Sequence, residues 1–392
     1  MKNLTEIDLN NKKILIRADL NVPIDDDLKI TDDNRIKQFL PTLNYILQEG
    51  GMPIVMSHFG RPAGKRESKH SLAPVAKKLQ ELSGKEVIFA TDCIGAEVKK
   101  LSDELEPNKV LLLENLRFHA AEKDNNPKFA QELASLGQVY VNDAFATAHR
   151  AHASIVGVPN FIKVKAPGLL MQRELDFYKK TLIEPKRPLC IILGGAKVST
   201  KFQALSHLAG LADKIIIGGA MANTFLAAQG FQMGRSLYEA NLFPKVLELM
   251  GSLARRGCQL YLPVDFVVAP SLNSTGLGRP VTAQDVPADS MALDIGPATS
   301  ILYREALQSA ETIVWNGPMG AFEKEDFSKG TTDLIEHLAS AHGLTVAGGG
   351  DTDSAIHEME LAHKFDFIST GGGAFLALLE GSDLPAVTAL NS

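Results

Sequence analysis

The chain reads as an α/β protein in which two arrays of strand–helix units flank one connecting helix, and three observations predict this class. In the second half, five apolar, strand-like runs each end in glycine: LCIILGGAK, KIIIGGAMAN, TIVWNGPMGAFE, LTVAGGGDT and FDFISTGGGA. In the first half, the apolar runs end in cations instead: KILIRADLN, PIVMSHFGRP, VLLLENLRFH and VYVNDAFATAHRAH. Stretches of helical period alternate with the runs, which is the pattern that builds parallel sheets. In such a sheet the carboxyl ends of the strands share one edge, so turns scattered in sequence converge into one crevice. Glycine turns there open the main-chain N–H groups to a ligand and aim helix N-termini at one spot, which suits phosphate. The cationic strand ends imply a second anion site of different character.

The elements follow in order. From Lys13 to about Asn142 short apolar runs alternate with helical stretches such as LAPVAKKLQEL and PKFAQELASL. Pro167 and Pro185 then bracket a segment in which Met171, Leu175, Tyr178 and Leu182 stand at helical spacing, and this predicts one amphipathic connector helix. The βα alternation resumes at Leu189. The closing segment GSDLPAVTALNS is too short to be a domain and must dock on one already formed; periodicity does not say which.

At 392 residues the chain exceeds one core, and two domains are expected. A hydrophobic fraction of 45% with 22% charged residues describes a globular chain rather than a disordered or membrane-embedded one. The net charge of −6 argues against a general nucleic-acid binder, so the local arginines want a small anion. Cys93, Cys190 and Cys258 form no C-x-x-C pair, which fits a reducing compartment. The N-terminus lacks the apolar core of a signal peptide and no run is long enough to span a membrane, so a cytoplasmic protein is expected.

The basic set comprises Arg17, Arg35, His58, Arg61, Arg117, His149, Arg150 and His152. Several guanidinium forks at one sheet edge would hold a small, multiply charged ligand, with Asp19 and Asn21 available for hydroxyls. Taken singly, each arginine reads better as an ordinary surface ion-pair partner, and it is four of them at strand ends that favour a ligand. Lys197 and Lys201 in GGAKVSTK lie four apart, on one face if a helix starts after the glycines, and could neutralise phosphoryl oxygens. Asp351 in AGGGDTDSA is either a helix N-cap or a Mg²⁺ ligand, and Glu323 either meets ribose hydroxyls or faces solvent. Neither H-E-x-x-H, G-x-S-x-G, G-x-G-x-x-G nor G-x-x-x-x-G-K-[ST] is present.

The motifs RADLN, HFGRP, LLLENLRFH, GGAKVSTK, WNGPMGAFE, GGGDT and STGGGA, in this order from near residue 15 to near residue 375, together resemble the phosphoglycerate kinase family. The resemblance implies two Rossmann-like domains with parallel sheets, joined by a connector helix. Its boundaries would be 1–167 for the glycerate domain, 168–184 for the helix, 185–380 for the nucleotide domain and 381–392 for a tail returning to the first. It implies reversible phosphoryl transfer from 1,3-bisphosphoglycerate to ADP, giving 3-phosphoglycerate and ATP, with Mg²⁺ accompanying the nucleotide. Carried over, Asp19, Leu20, Asn21, Arg35, His58, Phe59, Gly60, Arg61, Arg117 and Arg150 would bind the glycerate. Arg35 and Lys197 would be catalytic. Gly194, Gly195, Lys201, Gly218, Gly219, Glu323, Gly349, Gly350, Asp351 and Thr352 would hold the nucleotide, with Asp351 on the metal. Met319, Ala321 and Ala386 depart from the family's usual residues; none carries charge, although Ala386 would alter how the tail turns. No nucleic-acid or membrane partner is implied, and a monomer is expected.

The reaction also accounts for an absence. A carboxylate nucleophile is already ionised near neutral pH, so no general base is required, and positioning with charge neutralisation carries the transfer. With cations in one half and glycines in the other, a hinge motion has to bring the ligands together and exclude water. Two other readings compete: a nicotinamide dehydrogenase, disfavoured by the missing G-x-G-x-x-G, and a non-catalytic protein that closes around phosphorylated metabolites.

Overall fold

The structure, a computed structural model, describes residues 2–274, 276 and 278–392. The chain divides into two compact units, Met1–Leu175 together with Asp383–Ser392, and Asp176–Ser382. The division falls inside the connector, between Leu175 and Asp176, and not at either end of it.

The first unit holds strands β1 (Lys13–Arg17), β2 (Met52–Met56), β3 (Val87–Phe89), β4 (Val110–Leu112), β5 (Val139–Asn142) and β6 (Val164–Pro167). They form one sheet in the order β3-β4-β2-β1-β5-β6, every pair parallel. Side chains alternate between two cores, as a two-residue period requires. Ile14 and Ile16 enter one core while Leu15 enters the other, and Val110 and Leu112 likewise oppose Leu111. Helices α1 (Asn34–Gln48), α2 (Ala73–Ser83), α3 (Ala96–Asp103), α4 (Ala120–Lys123) and α5 (Pro127–Ala134) supply the crossovers. The start of α5 shows the local logic. Pro127 needs no N–H partner at the first helical position, and the Asn126 side chain accepts the N–H groups of Lys128 and Phe129.

The connector is α6 (Leu169–Tyr178), continued by a wider π turn over Lys179–Ile183. That turn breaks the single 3.6 period expected across Met171 to Leu182; Met171, Glu174, Thr181 and Leu182 are buried, and Leu175 and Tyr178 only half so. Its start is fixed by Asp143, whose buried carboxylate accepts the N–H groups of Leu170 and Met171.

The second unit contains β7 (Leu189–Leu193), β8 (Lys214–Ile217), β9 (Gln259–Tyr261), β10 (Asp265–Ala269), β11 (Arg279–Thr282), β12 (Met291–Ile295), β13 (Thr312–Asn316), β14 (Leu344–Gly348) and β15 (Phe367–Ser369). The main sheet is parallel in the order β15-β14-β13-β7-β8-β9. A three-stranded antiparallel sheet, β11-β10-β12, lies outside the parallel pattern expected for this half. Helices α7 (Phe202–Leu208), α8 (Gly219–Ala228), α9 (Phe243–Arg256), α10 (Pro297–Leu307), α11 (Lys329–Leu338), α12 (Gly350–Glu358) and α13 (Gly373–Leu379) complete it.

The tail forms α14 (Pro385–Asn391) and docks on the first unit. The Ala386 N–H donates to the Ala148 carbonyl at 3.1 Å, and Leu390 joins the core that contains Leu15. Ala386 itself is fully buried. All three cysteines are free and buried. No helix among the described residues is long and apolar enough to cross a membrane.

Candidate functional site

The candidate residues gather on two surfaces, one in each unit. In the first, the carboxyl ends of β1, β2, β4 and β5 bring the cations together. Arg17 closes β1 and is fully buried. A buried guanidinium survives only when its donors are satisfied and its charge answered. Its Nε donates to Ser154 Oγ at 3.0 Å, another nitrogen donates to the Ala18 carbonyl, and Nη2 lies 3.2 Å from His58 Nδ1. Ser154 in turn donates to Glu122 from both its hydroxyl, at 2.6 Å, and its backbone N–H, at 2.9 Å. Glu122 is therefore the anion beneath Arg17; burial raises its pKa while Arg17 opposes the rise.

Above this pair, Arg35 Nη1 donates to Asp19 Oδ2 at 2.6 Å, and Asp19 Oδ1 stands 3.7 Å from His58 Nδ1, beyond hydrogen-bond reach. Burial, followed by the charges of Arg17, Arg117, Arg150 and Arg35, depresses the His58 pKa well below its ordinary value, so the ring is neutral at pH 7. Arg117 is lowered to about 10, first by burial and then by Arg150 and Arg17, yet remains charged. Arg150, half-buried, is lowered by burial and by Arg17, Arg61 and Arg35, with Asp19 opposing. Like charges that perturb one another are near one another, so these five arginines form one field.

The loops are fixed by amides. Asn115 accepts the N–H groups of Phe59 and Arg117 and donates to the carbonyls of Phe59 and His70. Asn21 accepts the Gly60 N–H at 2.8 Å, and Arg117 Nη1 donates to the Gly60 carbonyl at 2.7 Å. Arg61, Arg117, Arg150 and His152 line a cavity of about 530 Å³, with His119 and Lys123 at its wall. Of the expected glycerate set, Arg61, Arg117 and Arg150 line this cavity, whereas Leu20 and Phe59 are withdrawn from it. Both are buried in the core, the Leu20 N–H is taken by Ser57 Oγ, and the backbone of Phe59 is taken by Asn115. They shape the loop and present no side chain to the cavity.

In the second unit the strand order reverses between β7 and β13, and such a switch point opens a crevice at the sheet edge. Lys201 spans it, donating to the carbonyls of Gly194 at 2.7 Å and Asn316 at 3.0 Å. Burial lowers its pKa to about 8, against the opposing pull of Asp351. The glycine turns interlock main chain against main chain: Gly194 N–H donates to Asn316 O, Gly219 N–H to Met319 O and Met221 N–H to Gly195 O. At Gly219 φ is +63° and a Cβ would lie 2.7 Å from both the nitrogen and oxygen of Gly195, so no other residue fits. Gly218 packs as tightly on Met319, whose side chain fills this turn. Gly350 is the opposite case, since a Cβ there would meet nothing within 4 Å.

Two helix expectations need correction. Lys197 and Lys201 share no helical face, because the chain turns through 199–201 and α7 begins only at Phe202. Lys197 is exposed while Lys201 is withdrawn into the crevice. Asp351 is not an N-cap: Gly349 occupies that position at φ +104°, and Asp351 lies exposed in the first turn of α12. Thr352 is buried, its hydroxyl accepting the Gly317 N–H at 2.7 Å. Glu323 is exposed on the loop after β13.

Sequence reasoning missed Glu122, Ser154, Asn115 and Asn316. Glu122 lies in AAEKD, which reads as a solvated helix; the amides lie inside the quoted motifs but have no periodic signal.

With this geometry established, the family model described as Phosphoglycerate kinase matches residues 4–382. The chain is 50% identical over 392 residues to the phosphoglycerate kinase of Desulfotalea psychrophila, covering all of both chains. It is 47% identical over 390 residues to that of Aquifex aeolicus, covering 100% of this chain and 98% of the other. Among solved structures, phosphoglycerate kinase from Coxiella burnetii superposes with a TM-score of 0.92 at 39% identity, covering 100% of this chain and 98% of that one. The enzyme from Pyrococcus horikoshii does so with a TM-score of 0.83 at 32% identity and the same coverage. The chain therefore belongs to the phosphoglycerate kinase family, a family of phosphotransferases.

Proposed function

We propose that the two surfaces divide the family's reaction between them: the arginine field holds the glycerate and the switch-point crevice holds the nucleotide. The observation that carries this reading is the mutual electrostatic influence of Arg17, Arg35, Arg61, Arg117 and Arg150 around a neutral His58. Such a field exceeds what one carboxylate needs and matches a ligand with both a carboxylate and a phosphate. Asp19 and Asn21 take its hydroxyl, and the neutral His58 ring adds a hydrogen bond without adding charge.

On the nucleotide side, the open backbone at Gly350, the left-handed turn at Gly349, the N-terminus of α12 and Lys201 receive the phosphates, and Gly194, Gly195, Gly218 and Gly219 wall the pocket. Glu323 meets the ribose. Asp351, exposed beside these groups, fits the coordination Mg²⁺ prefers, one carboxylate with phosphate oxygens and water. Bound there with the nucleotide, the ion supplies neutralisation of phosphate charge. Thr352 contributes through the Gly317 loop that it anchors.

The glycerate carboxylate attacks as an ionised nucleophile, so no residue has to remove a proton. Arg35 and Lys197 neutralise the migrating phosphoryl from opposite ligands' sides after a hinge movement at the connector brings them together and excludes water. The protein acts as a cytoplasmic monomer with small-molecule partners only. ADP release measured with ATP and 3-phosphoglycerate tests the activity. Arg61→Ala is expected to raise KM for 3-phosphoglycerate while leaving ADP affinity unchanged; an equal loss of both affinities would contradict the division into two surfaces.

A further inference from the structure

We propose that Asp92, Cys93 and His119 form a binding site for a borderline-soft divalent cation of the Zn²⁺ class at the wall of the basic cavity. One ligand atom from each residue, a carboxylate oxygen, the thiol sulfur and an imidazole nitrogen, lies within 4.8 Å of the other two. The cluster is held by the first unit alone, where the turn after β3 meets the segment after β4. Asp92 Oδ1 is its centre: His119 Nε2 lies 2.7 Å away and the Cys93 N–H donates to it at 2.6 Å. The Cys93 side chain also hydrogen-bonds to Asp92.

The arrangement runs from solvent inward. The Asp92 and His119 side chains are 40% and 29% exposed, whereas Cys93 is fully buried. An ion therefore has two accessible ligands at the mouth and a sulfur at the base. His119 lines the cavity of about 530 Å³, which supplies both an entry path and room for water in a fourth position. Thiolate, imidazole and carboxylate together select Zn²⁺ or Co²⁺, while Mg²⁺ and Ca²⁺ want oxygen alone. Binding exchanges the thiol proton for the cation and turns His119 Nε2 into an acceptor, with its remaining proton on Nδ1. One carboxylate and one thiolate then balance the two charges of the ion, so the complex is neutral. Arg66, which donates to the Thr91 carbonyl, and Lys123 at the cavity wall oppose a cation, which makes this a reversible site rather than a folding one.

The site is separate from the nucleotide's metal, and its test does not need turnover. Co²⁺ titrated into the chelator-treated full chain is expected to give a thiolate-to-cobalt charge-transfer band that saturates at one ion per chain. Zn²⁺ should displace it and a large excess of Mg²⁺ should not. Cys93→Ser should abolish the band. His119→Gln, a change at a partly exposed position, should weaken Co²⁺ binding by at least the roughly 10–100-fold that loss of an outer partner costs. A stoichiometric titration without a sulfur band overturns the proposal. So does a band that survives Cys93→Ser, which would belong to Cys190 or Cys258, or one that Mg²⁺ removes as readily as Zn²⁺.

Discussion

Arg35 donates from Nη1 to Asp19 Oδ2 at 2.6 Å, so one arm of an otherwise exposed guanidinium is oriented before any ligand arrives. The second arm is free to reach a phosphoryl oxygen, and lysine cannot do both. Arg35→Lys is therefore expected to lower kcat by about 100-fold with ADP affinity unchanged, as for loss of one preorganised donor. Asp19→Asn should give a smaller loss of kcat. Steady-state kinetics with single-turnover measurement distinguishes this from a binding defect, which would appear in KM alone.

With Lys201 on the nucleotide phosphates, as proposed, nucleotide binding depends on pH. Burial has lowered the lysine's pKa to about 8, and polyphosphate favours the protonated form, so the bound state holds the proton more tightly than the free one. ADP affinity should be level below pH 8 and fall above it by up to about tenfold per pH unit. Lys201→Met should weaken binding and flatten the profile. Calorimetric titration from about pH 7 to about pH 9 is the measurement.

Asp294 makes stability fall with rising pH as well, in a lower window. Its carboxylate accepts the N–H groups of Gly330 at 2.7 Å and Ile295 at 2.9 Å, yet burial raises its pKa to about 7, with Asp333 adding to the rise. The folded protein thus keeps the proton to about pH 7, while the unfolded chain releases it near 4. Stability falls as pH climbs through that window, by at most about 1.4 kcal/mol per unit for one proton, and levels above it. Asp294→Asn should remove that slope from urea-unfolding curves of the second unit's transition.

Gly219 and Gly350 should respond oppositely to alanine. Gly219→Ala forces a Cβ against the Gly195 backbone at positive φ, which costs about 1–3 kcal/mol or more. Gly350→Ala meets nothing and starts a helix, so stability should stay within about 0.5 kcal/mol. Its ADP affinity should nonetheless drop, because the added methyl stands where phosphate approaches. Thermal unfolding beside ADP titration reads both, and equal effects at the two positions would remove Gly350 from the nucleotide pocket.

The strands with chemistry at their ends were legible because a buried parallel strand is continuously apolar and its last residue breaks the run. Arg17 after KILI and Gly194 after LCIIL announce themselves in this way. The antiparallel strands β10 to β12 were not, since Arg279–Thr282 and Met291–Ile295 mix polar and apolar residues as any half-exposed segment does. The connector's π turn was invisible for a related reason: Thr181 and Leu182 satisfy a 3.6 period on paper, and only packing shifts the phase. In the site, charged groups that end strands could be named, whereas Glu122 could not, because the partner that draws it inward, Ser154, is 32 residues away. Lys201 was named, but the helical face it would share with Lys197 does not form, since its carbonyl partners Gly194 and Asn316 lie at the ends of two different strands. Family membership removes the dehydrogenase and the non-catalytic readings that spacing had left standing.

Because α14 seats Leu390 among residues that include Leu15, the first unit is interrupted in sequence by the whole of the second. During synthesis on a ribosome, the earlier unit therefore waits with an open seam until Asp383–Ser392 have been made, while the later one already has every residue it needs. Premature termination near residue 380 would leave the intruding unit intact and its host frayed.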